Sequence, residues 1–163
     1  MLDRSTPSLF EFNPDHIPFQ KAVIHDITSV YDYSLGYHEV LLSGSVGSAK
    51  SLLCAHIILR HCLEHTNARV LIGRRSLPDL KDTIFQMIVE HLEGSGFTDN
   101  KDYRINYSSA YIEFANGSII IGKSWADKKH KKFRSLALSM AVIEEAVENT
   151  GDDYKALIEI RQR

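Results

Sequence analysis

The sequence predicts an α/β fold: a mainly parallel sheet flanked by helices, with an antiparallel hairpin added. Three observations carry that prediction. Strand-like and helix-like segments alternate along most of the chain. A glycine-rich turn joins one apolar strand directly to a helix. Short apolar runs without polar alternation mark strands buried on both faces, as in a parallel sheet.

Residues 1–16 mix Pro, Ser, Asp and isolated aromatics and read as an extended arm. Asp15 suits the cap of a helix opening near Pro18, in which Phe19, Val23, Ile24 and Ile27 recur at helical spacing. Tyr37–Ser43 reads as a strand running into Gly44-Ser45-Val46-Gly47-Ser48-Ala49-Lys50-Ser51. Leu52, Leu53, Ile57, Ile58 and Cys62 then continue at helical period. Ala68–Gly73 reads as a second strand, buried on both faces. Ser76, with Asp79 three residues on, marks a helix start. That helix carries Leu80, Ile84, Met87, Ile88 and Leu92 and stops at Gly94 and Gly96. Tyr103–Tyr107, Tyr111–Phe114 and Ser118–Gly122 follow as strands. Asn116-Gly117 signals a hairpin between the last two, since both residues tolerate positive φ. Leu138–Ile143 is another strand, and a helix from about Asp152 closes the chain.

Composition narrows the function. The 163 residues fit one domain. Lys plus Arg total 19 against 21 Asp plus Glu, so any nucleic-acid contact must use a local patch rather than bulk charge. No apolar run reaches the roughly 18 residues that span a bilayer. Cys54 and Cys62 sit too far apart on one helix to face each other, and read as buried thiols of a reducing compartment. His56, His61 and His65 share that helix without a zinc-ligand spacing.

The glycine turn has the chemistry of a phosphate cradle. Such a cradle needs inward backbone N–H groups, a chain free to wrap, and a cation beside the outer phosphates. Gly44 and Gly47 give chain freedom, and the N–H groups of Gly47 to Ser51 lie at a helix N-terminus that favours anions. Lys50 would reach the β- and γ-phosphates, and the Ser51 hydroxyl would ligate Mg²⁺. The fit to G-x-x-x-x-G-K-[ST] is one residue short, with Ala49 in place of the last Gly. The plain alternative is a simple strand-to-helix turn.

Met140-Ala141-Val142-Ile143-Glu144-Glu145-Ala146 strengthens the phosphate reading. A hydrophobic strand ending in paired acids brings a carboxylate to the sheet edge where ligands bind. Glu144 is assigned to Mg²⁺ and Glu145 to orienting the water that attacks the γ-phosphate. An isolated acid pair would more simply cap the next helix.

Together these residues resemble the ATPase domain of the large terminase subunit, the DNA-packaging motor of tailed bacteriophages. The resemblance rests on I-P-F-Q (17–20), G-S-V-G-S-A-K-S (44–51), R-R-S-L-P-D-L-K-D-T (74–83), F-R-S-L-A-L-S-M-A-V-I-E-E-A (133–146) and R-Q-R (161–163). It implies a P-loop NTPase of the ASCE class, with an extra strand between the loop strand and the acid-bearing strand, and a glutamate base. It implies ATP and Mg²⁺ as cofactors, the loop from Gly44, Ser45, Val46, Gly47, Ser48 and Ala49 to Lys50 and Ser51 as the ATP site, and Gln20 as the adenine contact. Without the resemblance Gln20 reads as a solvated helix residue. Related loops often carry Arg where this chain has Val46. Another cation must then meet the γ-phosphate, and Arg74, Arg75, Lys123 and Arg134 are the candidates. Arg74 and Arg75 lead, as they follow a strand's C-terminal end.

The resemblance also implies double-stranded DNA, the small terminase subunit and the procapsid portal as partners. It implies a homo-oligomeric ring in the full motor, no membrane, and a place in the infected cell's cytoplasm and transiently at the portal. No coupling motif, final sheet strands or nuclease domain is legible after Arg163, so residues 17–163 are expected to form a partial domain, incomplete C-terminally. Five Lys and one Arg lie within residues 123–134. Lys128, Lys129, Lys131, Lys132 and Arg134 read equally as a DNA-backbone contact and as a solvated loop anchored by Trp125 and Phe133. Two other functions fit the same residues: a helicase-like or recombination ATPase, and a nucleotide-binding assembly module without turnover. A third possibility is a loop that Ala49 and Val46 leave unable to bind nucleotide.

Overall fold

The computed structural model describes residues 21–24, 39–45, 47–126, 136–153, 155 and 160. The arm over 1–16, Gln20, Val46, the cationic residues Lys128, Lys129, Lys131, Lys132 and Arg134, and the final R-Q-R lie outside the described residues. Of the two terminal helices expected from sequence, residues 21–24, 155 and 160 are described, and all are helical.

Helix α1 (Lys50–Glu64) starts inside the glycine turn, as its apolar period predicts. Leu53, Ile58 and Cys62 are buried in it, with Leu52 and Ile57 half-buried. Strand β1 (Arg69–Arg74) buries Val70, Leu71, Ile72 and Gly73 in succession, so both of its faces are covered. Ser76 caps the next helix by accepting from the Asp79 N–H at 3.5 Å. Helix α2 (Leu77–Leu80) passes through a widened turn at Lys81–Phe85 into α3 (Gln86–Gly94). In that turn the Gln86 N–H bonds to the Lys81 carbonyl, five residues back. The helix ends as its glycines predict: Gly96 takes φ +78°, its N–H bonds to Glu93 O at 3.0 Å, and the Phe97 N–H bonds to Leu92 O at 3.0 Å.

Strands β2 (Tyr103–Asn106), β3 (Tyr111–Phe114), β4 (Ile119–Ser124) and β5 (Met140–Ile143) complete a five-stranded sheet in the order β2-β3-β4-β1-β5. β1 pairs in parallel with β4 and β5, while β2–β3 and β3–β4 are antiparallel. The sheet is therefore evenly mixed rather than mainly parallel, because the hairpin strands add two antiparallel pairings to a three-strand parallel core. The β3–β4 hairpin forms at Asn116-Gly117, but only Gly117 takes positive φ, at +84°. The Gly117 N–H bonds to Phe114 O at 2.9 Å and the Phe114 N–H to Ser118 O at 2.8 Å. That makes a three-residue loop with a bulged glycine in place of a two-residue turn.

One core lies between the helices and one sheet face. Val70, Ile72, Ile112 and Ile120 meet Ile58, Leu59, Leu80, Ile84, Ile88 and Leu92 there. On the other face Leu71 packs with Trp125 and Ile160. Alternate residues of β1 thus serve two cores, as the strand's unbroken apolar run requires.

The predicted strand over 37–43 is corrected. Its described part, 39–43, joins no strand, and Val40 and Leu41 are exposed. A strand forms only where another can satisfy its backbone groups. β5 pairs with β1, and among the described residues no strand pairs with its other edge. The intervening strand that the resemblance implies is likewise not formed among the described residues. No helix among the described residues is long and apolar enough to cross a membrane.

Candidate functional site at the C-terminal edge of the parallel strands

The site begins with the turn into α1. Gly47 (φ +81°) and Ala49 (φ +55°, ψ +29°) both take left-handed backbone. Position 49 is where the phosphate-loop pattern has glycine. The reason is now physical: the chain turns left-handed there, and glycine does so without the Cβ penalty. Lys50 curls back over the turn. Its Nζ donates to Gly44 O at 2.8 Å, Ser45 O at 2.9 Å and Ser48 Oγ at 3.0 Å, using all three of its protons. The first N–H groups of α1 have no partner within the helix, by geometry.

β5 approaches from the other side. Its register with β1 pairs Gly73 with Ile143, and the Glu144 N–H bonds to Gly73 O at 2.8 Å. Arg74 and Glu144 therefore leave adjacent parallel strands side by side, at the edge where α/β sheets bind ligands. Ser51 Oγ donates to Glu144 Oε1 at 2.9 Å, across 93 residues of sequence. The second oxygen, Oε2, accepts from Thr83 Oγ at 2.6 Å and lies 3.5 Å from Arg74 Nη1. Arg74 also forks onto Glu148, with Nη2–Oε1 at 2.6 Å and Nε–Oε2 at 3.2 Å. That two-point hydrogen bond raises the Arg74 pKa, which nearby carboxylates support against partial burial. It holds the Glu148 carboxyl below its ordinary value.

Glu145 differs from its neighbour. It is exposed, takes left-handed backbone (φ +47°) and opens the short turn Ala146–Glu148. Its side chain lines an open cleft of about 460 Å³ together with Ser51, Arg74, Thr83 and Glu144. Asp82, Gln86, Met87 and Glu90 line it as well. Cys54 lies close enough to feel the same charge: burial first, then the Glu144 carboxylate, pushes its thiol up to about 11.

The structure thus brings together Ser51, Arg74, Glu144 and Glu145, while the Lys50 ammonium stays on its own turn, bonded to Gly44, Ser45 and Ser48. It does not bring Arg75 to them. Arg75 Nε points to the buried Asp153, 3.3 Å away, and neither Arg75 nor Lys123 lines the cleft. Thr83 and Glu148 are site residues that sequence reasoning missed. Thr83 closes the 74–83 stretch but carries no motif, and Glu148 was detectable only through the β1–β5 register.

The donor set suits a nucleotide and its metal. A hydroxyl and a carboxylate side by side are the hard oxygen ligands Mg²⁺ takes. A lysine on a left-handed glycine turn at a helix start suits phosphate oxygens.

A search of curated proteins finds no match. A family model described as phage terminase large subunit matches residues 37–162, which include the glycine turn, the cleft and both acids. With more than three-quarters of its residues inside that match, the chain belongs to the phage terminase large subunit family, and its role lies in phage DNA packaging.

Proposed function

We propose that this chain is a P-loop ATPase of the ASCE class, whose turnover drives double-stranded DNA into a phage capsid. The observation that carries the reading is the Ser51–Glu144 contact at 2.9 Å. It joins the residue after the loop lysine to the first acid of the strand-end pair, the two groups such a site needs at one metal. When bound, Mg²⁺ supplies charge neutralisation at the phosphates.

In this reading Ser51 and Glu144 hold the ion, and Lys50 leaves its loop acceptors to meet phosphate oxygens. The loop from Gly44, Ser45, Val46, Gly47, Ser48 and Ala49 wraps the phosphates, and Gln20 contacts adenine. Glu145, exposed on the cleft, accepts a proton from the attacking water and aligns it. Arg74, paired with Glu144 and Glu148, is a better candidate for γ-phosphate charge than Arg75, which is engaged by Asp153. Lys128, Lys129, Lys131, Lys132 and Arg134 contact the DNA backbone. The small terminase subunit, the portal and further copies of the chain in a ring are its proposed partners. The host cytoplasm, and transiently the portal, is its proposed location.

The test is phosphate release with ATP and Mg²⁺ by the wild type and by Glu145→Gln. The reading expects Mg²⁺-dependent release from the wild type and nucleotide binding without release from the variant. Equal rates would remove Glu145 from its role.

A further inference from the structure

We propose that Thr83 is a positioning residue for Glu144: its hydroxyl holds one carboxylate oxygen so that the other faces Ser51 and the metal. The inference rests on the reading of Glu144 as a metal ligand given above.

Thr83 sits where the helix over residues 77–94 opens. Its backbone leaves helical values (φ −116°, ψ −105°) inside the widened turn Lys81–Phe85. Thr83 is thus the kink between two successive helices, not a residue of a continuous one. The Thr83 hydroxyl contacts Glu144 Oε2 at 2.6 Å and Asp79 O at 2.7 Å, and accepts from Arg74 Nη1 at 3.2 Å. A hydroxyl has one proton to give. Of the two acceptors the carboxylate is the stronger, and the contact length is that of an O–H···O⁻ bond.

Arg74 Nη1 lies 3.5 Å from the same Oε2, longer than a good guanidinium–carboxylate bond. The Thr83 oxygen bonds to both groups and is closer to each than they are to one another. With the hydroxyl gone, guanidinium and carboxylate are free to close directly. That closure draws Glu144 away from Ser51. Thr83 therefore decides which carboxylate oxygen is presented to the metal, and keeps the Arg74 charge one bond away from it. The plain alternative is a hydroxyl that only bonds back to Asp79 O, four residues earlier, as helix threonines do.

The test compares wild type, Thr83→Val and Thr83→Ser. Mn²⁺ is titrated by electron paramagnetic resonance in saturating non-hydrolysable ATP analogue. Metal-free analogue binding is measured beside it, and Thr83→Val is crystallised without ligand. The proposal expects Thr83→Val to weaken Mn²⁺ about tenfold or more, with metal-free nucleotide affinity unchanged and Thr83→Ser restored to near wild type. In the crystal, Glu144 should leave Ser51 for Arg74. Unchanged Mn²⁺ affinity, or a Thr83→Val crystal that keeps the Ser51–Glu144 bond, overturns it. If the wild type binds neither analogue nor Mn²⁺, the ATPase reading fails. The ligand-free crystal then still decides whether Thr83 sets Glu144, since a moved carboxylate supports that and an unmoved one refutes it.

Discussion

Ser51 Oγ and Glu144 Oε1 meet at 2.9 Å, although one opens a helix after the glycine turn and the other ends a strand 93 residues later. The contact exists because α1 packs on the sheet face while β5 lies in parallel register beside β1. Both elements then deliver their polar ends to one sheet edge. In the proposed site this hydroxyl and carboxylate would supply two of the six oxygen ligands of octahedral Mg²⁺.

Lys50 is expected to matter for binding far more than for folding. Its three hydrogen bonds go to acceptors in an exposed turn, where water competes for the ammonium and the net worth of each is about 0.5 kcal/mol. Lys50→Ala should abolish binding of a fluorescent ATP analogue while lowering stability to urea by no more than about 1–2 kcal/mol. Undiminished analogue binding would remove Lys50 from the site.

Ala49→Gly should stabilise the protein. Ala49 takes φ +55°, a left-handed value that costs an L-residue roughly 1–2 kcal/mol. Glycine relieves that cost but loses more freedom on folding, so the net gain should be about 0.5–1 kcal/mol in urea unfolding. A loss of stability would mean that the turn is not left-handed in solution.

Gly73→Ala should have the opposite effect. A Cβ there would lie 2.5 Å from Trp125 Cζ3 and 3.2 Å from Ile143 Cδ1. Trp125 is fully buried and anchored by its Nε1–H to Asn149 Oδ1 at 2.6 Å, so the ring cannot retreat. Overpacking of this kind costs roughly 1–3 kcal/mol. It should also disturb the site, because Gly73 pairs with Ile143 next to Glu144. Urea unfolding and analogue binding by the same variant check both expectations.

Stability should fall on mild acidification. His56 is buried in α1, and its pKa is lowered from 6.5 to about 4, by burial first and then by the charges of His91 and Arg60. The folded state therefore binds fewer protons than the unfolded state between those values. The contribution is complete above pH 6.5 and is lost as pH falls toward about 4. Between pH 7 and pH 5 the loss should be on the order of 2 kcal/mol. His61, lowered mainly by burial, adds in the same direction. The Arg74–Glu148 pair acts lower: its contribution is present above the ordinary Glu148 value of 4.5 and is lost as pH falls through the lowered one. Urea midpoints at pH 7 and pH 5 for the wild type and His56→Gln check this, and the variant should show the shallower dependence.

Much of this was legible in the residues. Helix α1 follows from the apolar period after the glycine turn, and β1 from an unbroken apolar run. The α2 cap and the α3 stop follow from Ser76 and Gly96, whose signals act within a few residues. What depends on distant partners was not legible. Val40, Leu41 and Leu42 read as strand, yet whether a strand forms is decided by a neighbouring edge. The break at Thr83 is hidden because Leu80, Ile84 and Ile88 keep an apolar period through it. Arg74 and Arg75 are indistinguishable in sequence, and consecutive residues at a strand end face opposite ways. One meets Glu144 and Glu148, the other Asp153. Glu148 joins the site only through the β1–β5 register.

The most direct measurement is a crystal structure of the protein with a non-hydrolysable ATP analogue and Mg²⁺. The account predicts the phosphates in the turn over residues 44–51 and the ion about 2.0–2.1 Å from Ser51 Oγ, with Glu144 bound to it directly or through one water. Phosphates seated elsewhere, or an ion that touches neither Ser51 nor the shell of Glu144, would contradict it.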